Sequence, residues 1–114
     1  MDTRNKIVTA AEAVCIAARA ATVVSGYFDP LLASHAARLK EIKRGGVPLI
    51  VAITSSPDSI LPARARAELV AGLRVVDYVT ESLDGLVPHV RLEEEDAARL
   101  DKLIEHVHSR QQAS

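Results

Sequence analysis

An alanine-rich apolar run extends from about Ala10 to Ala20, and Thr9-Ala10-Ala11-Glu12 stands in front of it. That tetrapeptide fits a capping box, in which hydroxyl and carboxylate satisfy backbone donors that a first helical turn leaves free. A helix is therefore predicted from Thr9 to about Ala20. Over 21–25 the pattern changes to β-branched Thr22-Val23-Val24, a first strand. Gly26 to Pro30 reads as a turn. Leu32, His35, Leu39 and Ile42 then recur at helical steps, which predicts a helix from about Leu32 to Arg44, stopped at Gly45-Gly46. Leu49-Ile50-Val51-Ala52-Ile53 is apolar without alternation, as a central parallel strand covered on both faces requires. Pro62 suits the first turn of a helix to about Leu73. Val75 to Val79 reads as a third strand and Val90-Arg91-Leu92 as a short fourth. A last helix over about 93–109 follows, with Ala97, Leu100, Leu103, Ile104 and Val107 as its apolar stripe. Its start, Glu93-Glu94-Glu95-Asp96, puts negative charge at the positive end of the helix dipole.

Strands alternating with helices predict an α/β fold, a three-layer Rossmann-like domain with a small parallel sheet of three to five strands flanked by helices. At 114 residues the whole chain, 1–114, reads as a single domain that buries roughly two thirds of its unfolded surface. Function in such sheets sits at the carboxyl ends of the strands. That rule places Ser25-Gly26-Tyr27-Phe28 and Thr54-Ser55-Ser56-Pro57-Asp58 on one edge.

Composition narrows the chemistry. Aromatic residues are only 3% of the chain, so its core is expected from Val, Ile, Leu and Ala. Fourteen basic and 15 acidic residues leave a net charge of −1, which gives no field to attract nucleic acid or an anionic membrane. No apolar run approaches the ~18 residues of a membrane span. The amino-terminal segment lacks the pattern of a secretory signal, so the expected location is the cytoplasm. The single cysteine, Cys15, excludes an intramolecular disulfide and reads as an inert buried thiol in an apolar stretch. No metal site is expected. His106 and His108 are two apart, about 200° around a helix, and His89 completes no ligand spacing with them.

The stretch from Thr22 through Gly26-Tyr27-Phe28-Asp29 to His35 resembles the signature of the cytidylyltransferase-like nucleotidyltransferases, which include glycerol-3-phosphate cytidylyltransferases and the adenylyltransferase domains of ADP-heptose synthases. In that family a strand leads to G-x-F-D and then to H-x-G-H. Lys6-Ile7-Val8, Leu49 to Ile53, the L-P-x-x-x-R-A-E pattern of Leu61 to Glu68 and Arg74-Val75-Val76-Asp77-Tyr78-Val79 resemble further family segments in the family's order, over about residues 6–80. The resemblance implies transfer of a nucleotide from CTP or ATP, with Mg²⁺, to a phosphorylated acceptor. It implies nucleotide or phosphate contacts at Gly26, Tyr27, Phe28, Asp29, Ser34 and Arg66, with His35 as the remnant of the catalytic histidine pair. Family members commonly self-associate, and Leu69, Val70 and Leu73 are the apolar residues that a homodimer would use.

The chain departs from the family pattern in four places. Leu32 stands where the first histidine belongs, and Ser34 where the glycine does. Residues 55–60 contain no lysine or arginine, and no triphosphate-gripping motif follows Val79. Losing one such donor commonly removes ~2.7–4 kcal/mol of transition-state stabilisation. The reading is thus of a diverged protein with weak or absent catalysis that retains binding of a nucleotide or phosphorylated small molecule. The alternatives are a minimal active transferase using His35, and a dimerisation or regulatory module. His35 itself reads equally as a phosphate contact or as a locally satisfied helix residue. Asp29 reads first as the cap of the helix after Pro30, and Gly26 as the residue that permits a tight turn. Arg66 reads either as an anion contact or as a salt-bridge partner of Glu68 or of the acidic 93–96 segment.

Overall fold

The computed structural model describes residues 2–98. After a 3₁₀ turn, Thr3–Lys6, the elements are α1 (Ala10–Arg19), β1 (Thr22–Gly26), α2 (Ala33–Ile42), β2 (Leu49–Ile53), α3 (Ala63–Ala71), β3 (Tyr78–Thr80) and β4 (Val90–Arg91). Residues 92–98 are helical. The predicted last helix therefore starts where expected, while Leu100, Leu103, Ile104, Val107, His106 and His108 lie outside the described residues.

The sheet is all-parallel, in the order β3-β2-β1-β4. Chain and sheet advance together from β1 to β3, and the chain then returns to the far side of β1 to add β4. Alternation along the strands divides the core into two. Val24, Leu49, Val51, Ile53 and Val79 face α2 and α3, meeting Leu39, Ala67, Val70 and Ala71. Val23 and Ile50 face the other way, onto Ala13 of α1 and Leu86 of the β3–β4 connection. Helix, sheet and helices form three layers, the architecture that the alternating pattern predicts. All five residues of β2 are buried, which explains its unbroken apolar run. Burial of each of its Leu, Ile and Val side chains contributes about 1.5–3 kcal/mol.

Local chemistry accounts for the element ends. The Thr9 hydroxyl accepts the Glu12 amide at 3.1 Å, and Glu12 Oε1 accepts the Thr9 amide at 3.3 Å, which completes the expected capping box. Helix α2 ends at Ile42, short of Gly45-Gly46, because Lys43 turns extended. Its ammonium then donates to the Val47 carbonyl and to Asp77. Strand β3 begins three residues later than Val75. Val76 is a core residue of the α3–β3 connection, and pairing with β2 starts when the Asp77 amide reaches the Leu49 carbonyl.

Three further expectations are corrected. Cys15 is exposed, because α1 turns Ala13, Ile16 and Ala17 toward the sheet and Cys15 away from it. Val70 is completely buried in the core, and Leu73 packs partly against it, so of the three apolar residues near α3 only Leu69 is half-exposed. Leu32, at the amino end of the α2 stripe, is also half-exposed, since the helix proper starts after it. Among the described residues no helix is long and apolar enough to cross a membrane.

Candidate functional site

The carboxyl ends of β1 and β2 lie side by side, with Gly26 in register with Ile53 and the Thr54 amide donating to the Gly26 carbonyl at 2.9 Å. Gly26 is thus the last residue of the strand, with no left-handed torsion, and the turn reading is corrected to a steric one. A Cβ on Gly26 would lie 2.6 Å from Cε2 of Phe28, so the glycine makes room for that ring. Phe28 takes the left-handed torsion instead (φ 49°), a conformation that costs a non-glycine residue about 1–3 kcal/mol. Burial of its side chain offsets the strain, and the ring meets the His35 imidazole edge-on, with centroids 5.3 Å apart.

His35 is buried on the first turn of α2. Its Nδ1 accepts the Leu32 amide at 3.0 Å, which supplies half of a capping box at a position where leucine has no polar atom to offer. That bond leaves the ring proton on Nε2, which donates to the Asp96 carboxylate at 3.0 and 3.1 Å. One turn further along α2, Arg38 makes a two-pronged pair with Glu95, Nε to Oε1 at 3.0 Å and Nη2 to Oε2 at 3.1 Å. The acidic run that opens the last helix therefore lies along α2.

Glu93 completes the docking. Its Oε1 accepts the Ser25 hydroxyl and its Oε2 the Thr54 hydroxyl, both at 2.8 Å. Ser25 is fully buried at the end of β1. Glu93 consequently stands over the carboxyl ends of two neighbouring strands, β1 and β2, the edge of such sheets where ligands bind, beside the β1–β4 boundary at which the strand order reverses.

Asp29 and Arg66 hold the loops around this edge. The Asp29 carboxylate accepts the amides of Ile60 and Leu61 at 2.6 and 2.8 Å, which corrects its role from helix cap to clamp of the β2–α3 loop. These amides hold its pKa below the ordinary value. Arg66 is 1% exposed, and its guanidinium donates to the carbonyls of Leu61, Tyr27 and Thr54 and to Ser55 Oγ. Neither sequence reading of Arg66 describes this arrangement. The buried cation is solvated by neutral oxygens of three loop segments. Ser34 is exposed on the first turn of α2.

The sequence-predicted residues thus fall into groups. Gly26, Phe28 and His35 form one stack. Tyr27, through its carbonyl, joins Arg66 and Asp29 in the clamp. The strand-end rule places Ser25 and Thr54 on this edge without giving them a role, and Arg38, Glu93, Glu95 and Asp96 are not among the expected site residues. The acidity of 93–96 was visible, but only the fold shows which donors it meets. A separate cleft of 920 Å³ lies toward the amino end of β1, lined by Val14, Ala17, Val23, Ile42 and Val87 among others. His89 borders it and accepts the Val23 amide at its Nδ1 (3.0 Å).

Compared with known proteins, the chain matches no family model, and a search of curated proteins found no match.

Proposed function

We propose that this chain is a diverged, non-catalytic domain of the cytidylyltransferase-like nucleotidyltransferase type, one that binds a phosphate-bearing ligand without transferring it. The observation that carries the non-catalytic part of the proposal is the engagement of both ring nitrogens of His35 by the protein itself, Nδ1 by the Leu32 amide and Nε2 by Asp96. Nucleotide transfer needs donors aimed at charge that develops on phosphorus. Here the imidazole proton is directed at a carboxylate, and the position of the partner histidine is the half-exposed, apolar Leu32. Glu93 and Asp96 add negative charge beside His35 and the strand ends, which disfavours a triphosphate there. The cytoplasm is the setting we propose, where an exposed Cys15 stays reduced.

The test is pyrophosphate release from CTP and from ATP, with Mg²⁺ and glycerol 3-phosphate or a sugar phosphate as acceptor. The expected rate equals that of the protein-free blank. Release that disappears in His35→Ala would overturn the proposal in favour of a minimal transferase.

A further inference from the structure

We propose that the 920 Å³ cleft toward the amino end of β1 binds an aliphatic monocarboxylate, its carboxylate held by Arg44 and His89 and its alkyl chain by the apolar walls. The site lies at the opposite end of β1 from Ser25 and Glu93. The inference is independent of the function proposed for that edge.

The cleft exists because the sheet is incomplete there. β4 pairs with β1 only at Val24 and Ser25, so among the described residues no strand covers this edge of β1 at Thr22 and Val23. A single residue closes the edge in place of a strand. The His89 amide donates to the Val23 carbonyl at 2.7 Å, and His89 Nδ1 accepts the Val23 amide at 3.0 Å. Helices α1 and α2, on opposite faces of the sheet, supply two walls of the cleft, and the β3–β4 connection supplies a third. Gly85 lets that connection lie against α1, since a Cβ there would be 2.9 Å from Val14 Cγ2. Along α1 the wall is built from Val14, Ala17, Ala18 and Ala20, and the short alanines leave the space unfilled. Small-molecule pockets typically enclose about 300–1,000 Å³, which includes this cleft.

The lining specifies the ligand. Its apolar part is aliphatic throughout, with no Phe, Tyr or Trp to stack on a flat ring. Val87, which lines it, is 79% exposed, so apolar surface stands in water where a ligand chain would cover it. The wall from Val14 to Ala20 rises about 9 Å along the helix, the length of an extended alkyl chain of about eight carbons.

Charge selects the head group. Of the charged side chains on the lining, Arg38 is paired with Glu41 and Glu95, which leaves Arg44. Among the described residues Arg44 has no hydrogen-bond or ion-pair partner. The Val23 amide on Nδ1 leaves the His89 proton on Nε2, and that N–H also has no partner among the described residues. One uncompensated cation and a neutral N–H donor match a single negative charge. A planar carboxylate suits the guanidinium fork and has lone pairs to spare for the imidazole.

The experiment is titration calorimetry of the full chain with octanoate, with 1-octanol and butyrate as controls. Octanoate is expected to saturate one site. Octanol, which lacks the charge, and butyrate, which lacks half the chain, are each expected to bind at least about 10-fold more weakly. Arg44→Gln should weaken octanoate by at least about 10-fold. Val87→Asp, which puts an anion on the cleft wall, should do the same, whereas Leu69→Asp on α3, away from the cleft, should leave binding unchanged. If Val87→Asp does not fold, Ala18→Leu fills the cleft from an exposed helix position and must weaken binding instead. Absence of saturable octanoate binding by wild type overturns the proposal. That includes the case in which a second copy covers the cleft, seen as a dimer in sedimentation velocity that Val87→Asp dissociates. Octanol binding as tight as octanoate, or octanoate binding unchanged in Arg44→Gln, overturns the carboxylate assignment. Octanoate binding unchanged in the cleft variant, or weakened equally by Leu69→Asp, overturns the location.

Discussion

The Asp96 carboxylate lies 3.0 Å from Nε2 of His35, and the two residues are 61 positions apart in the chain. The pair ties the acidic start of the last helix to the first turn of α2, where the His35 ring also meets Phe28 edge-on. The Leu32 amide on the other ring nitrogen fixes which proton Asp96 receives.

Asp96→Ala is therefore expected to destabilise the fold by about 1–2 kcal/mol, the penalty for leaving a nearly buried N–H without a partner. Asp96→Asn, which can still accept that N–H, is expected to lose less. Urea unfolding midpoints of the two variants check the order, and equal losses would argue against a directed hydrogen bond.

Arg66 should be the most sensitive polar position. Replacing it by alanine leaves the carbonyls of Leu61, Tyr27 and Thr54 facing a buried void. The expected loss is about 3 kcal/mol or more, since each orphaned buried acceptor costs about 1–3 kcal/mol and such losses are not additive. Arg66→Lys keeps the charge but not the planar fork, so it should rescue only part of the stability. Full rescue by lysine in denaturant unfolding would show that charge alone matters at this position.

Gly26→Ala tests the steric reading. The added methyl would meet Cε2 and Cζ of Phe28 at 2.6 and 2.8 Å, so the buried ring would have to shift within the core. A loss of about 1–3 kcal/mol is expected, as for other overpacked cores. In a double-mutant cycle with Phe28→Leu the two losses should fall short of additivity, because the smaller side chain removes the clash. Strict additivity would count against the contact.

The pH dependence follows from Asp29 and Asp77. The Ile60 and Leu61 amides lower the pKa of Asp29. For Asp77, burial pushes the value up, but the Lys43 ammonium and the Leu49 amide together bring it below the ordinary 3.8. A carboxylate with a depressed folded-state pKa contributes stability that is present above its unfolded pKa and lost as pH falls through the folded value. The contribution of both groups to urea-melt stability should be level down to about pH 5 and fall increasingly below about pH 4. Asp77→Asn should be less stable than wild type at pH 7, with a shallower acid limb. An unchanged acid limb would remove Asp77 from the account.

Much of this architecture is legible in the sequence because its signals are local. The capping box at Thr9 needs only Glu12, three residues away. The unbroken apolar run of β2 reports burial on both faces, and the Gly26-Tyr27-Phe28-Asp29 segment marks the edge where the site lies. Periodicity also indicates which face of α2 turns inward, at His35 and Leu39, although it does not reveal that the helix starts after Leu32.

Partner choice was decided by the tertiary structure. Asp29 is followed by a proline and a helix start, yet its carboxylate reaches amides 31 and 32 positions away. Arg66 has Glu68 two residues on, yet it turns inward to carbonyls of two strand ends. Glu93, at a helix start that the dipole alone would explain, instead receives hydroxyls from β1 and from the end of β2. The physical reason is common to all three. Hydrogen bonds and ion pairs depend on distances of about 3 Å, and only the packed sheet brings such remote groups that close. By itself the sequence determined a three-layer α/β scaffold and the edge where its chemistry would sit. The fold decided that this edge is occupied by the protein's own carboxylates.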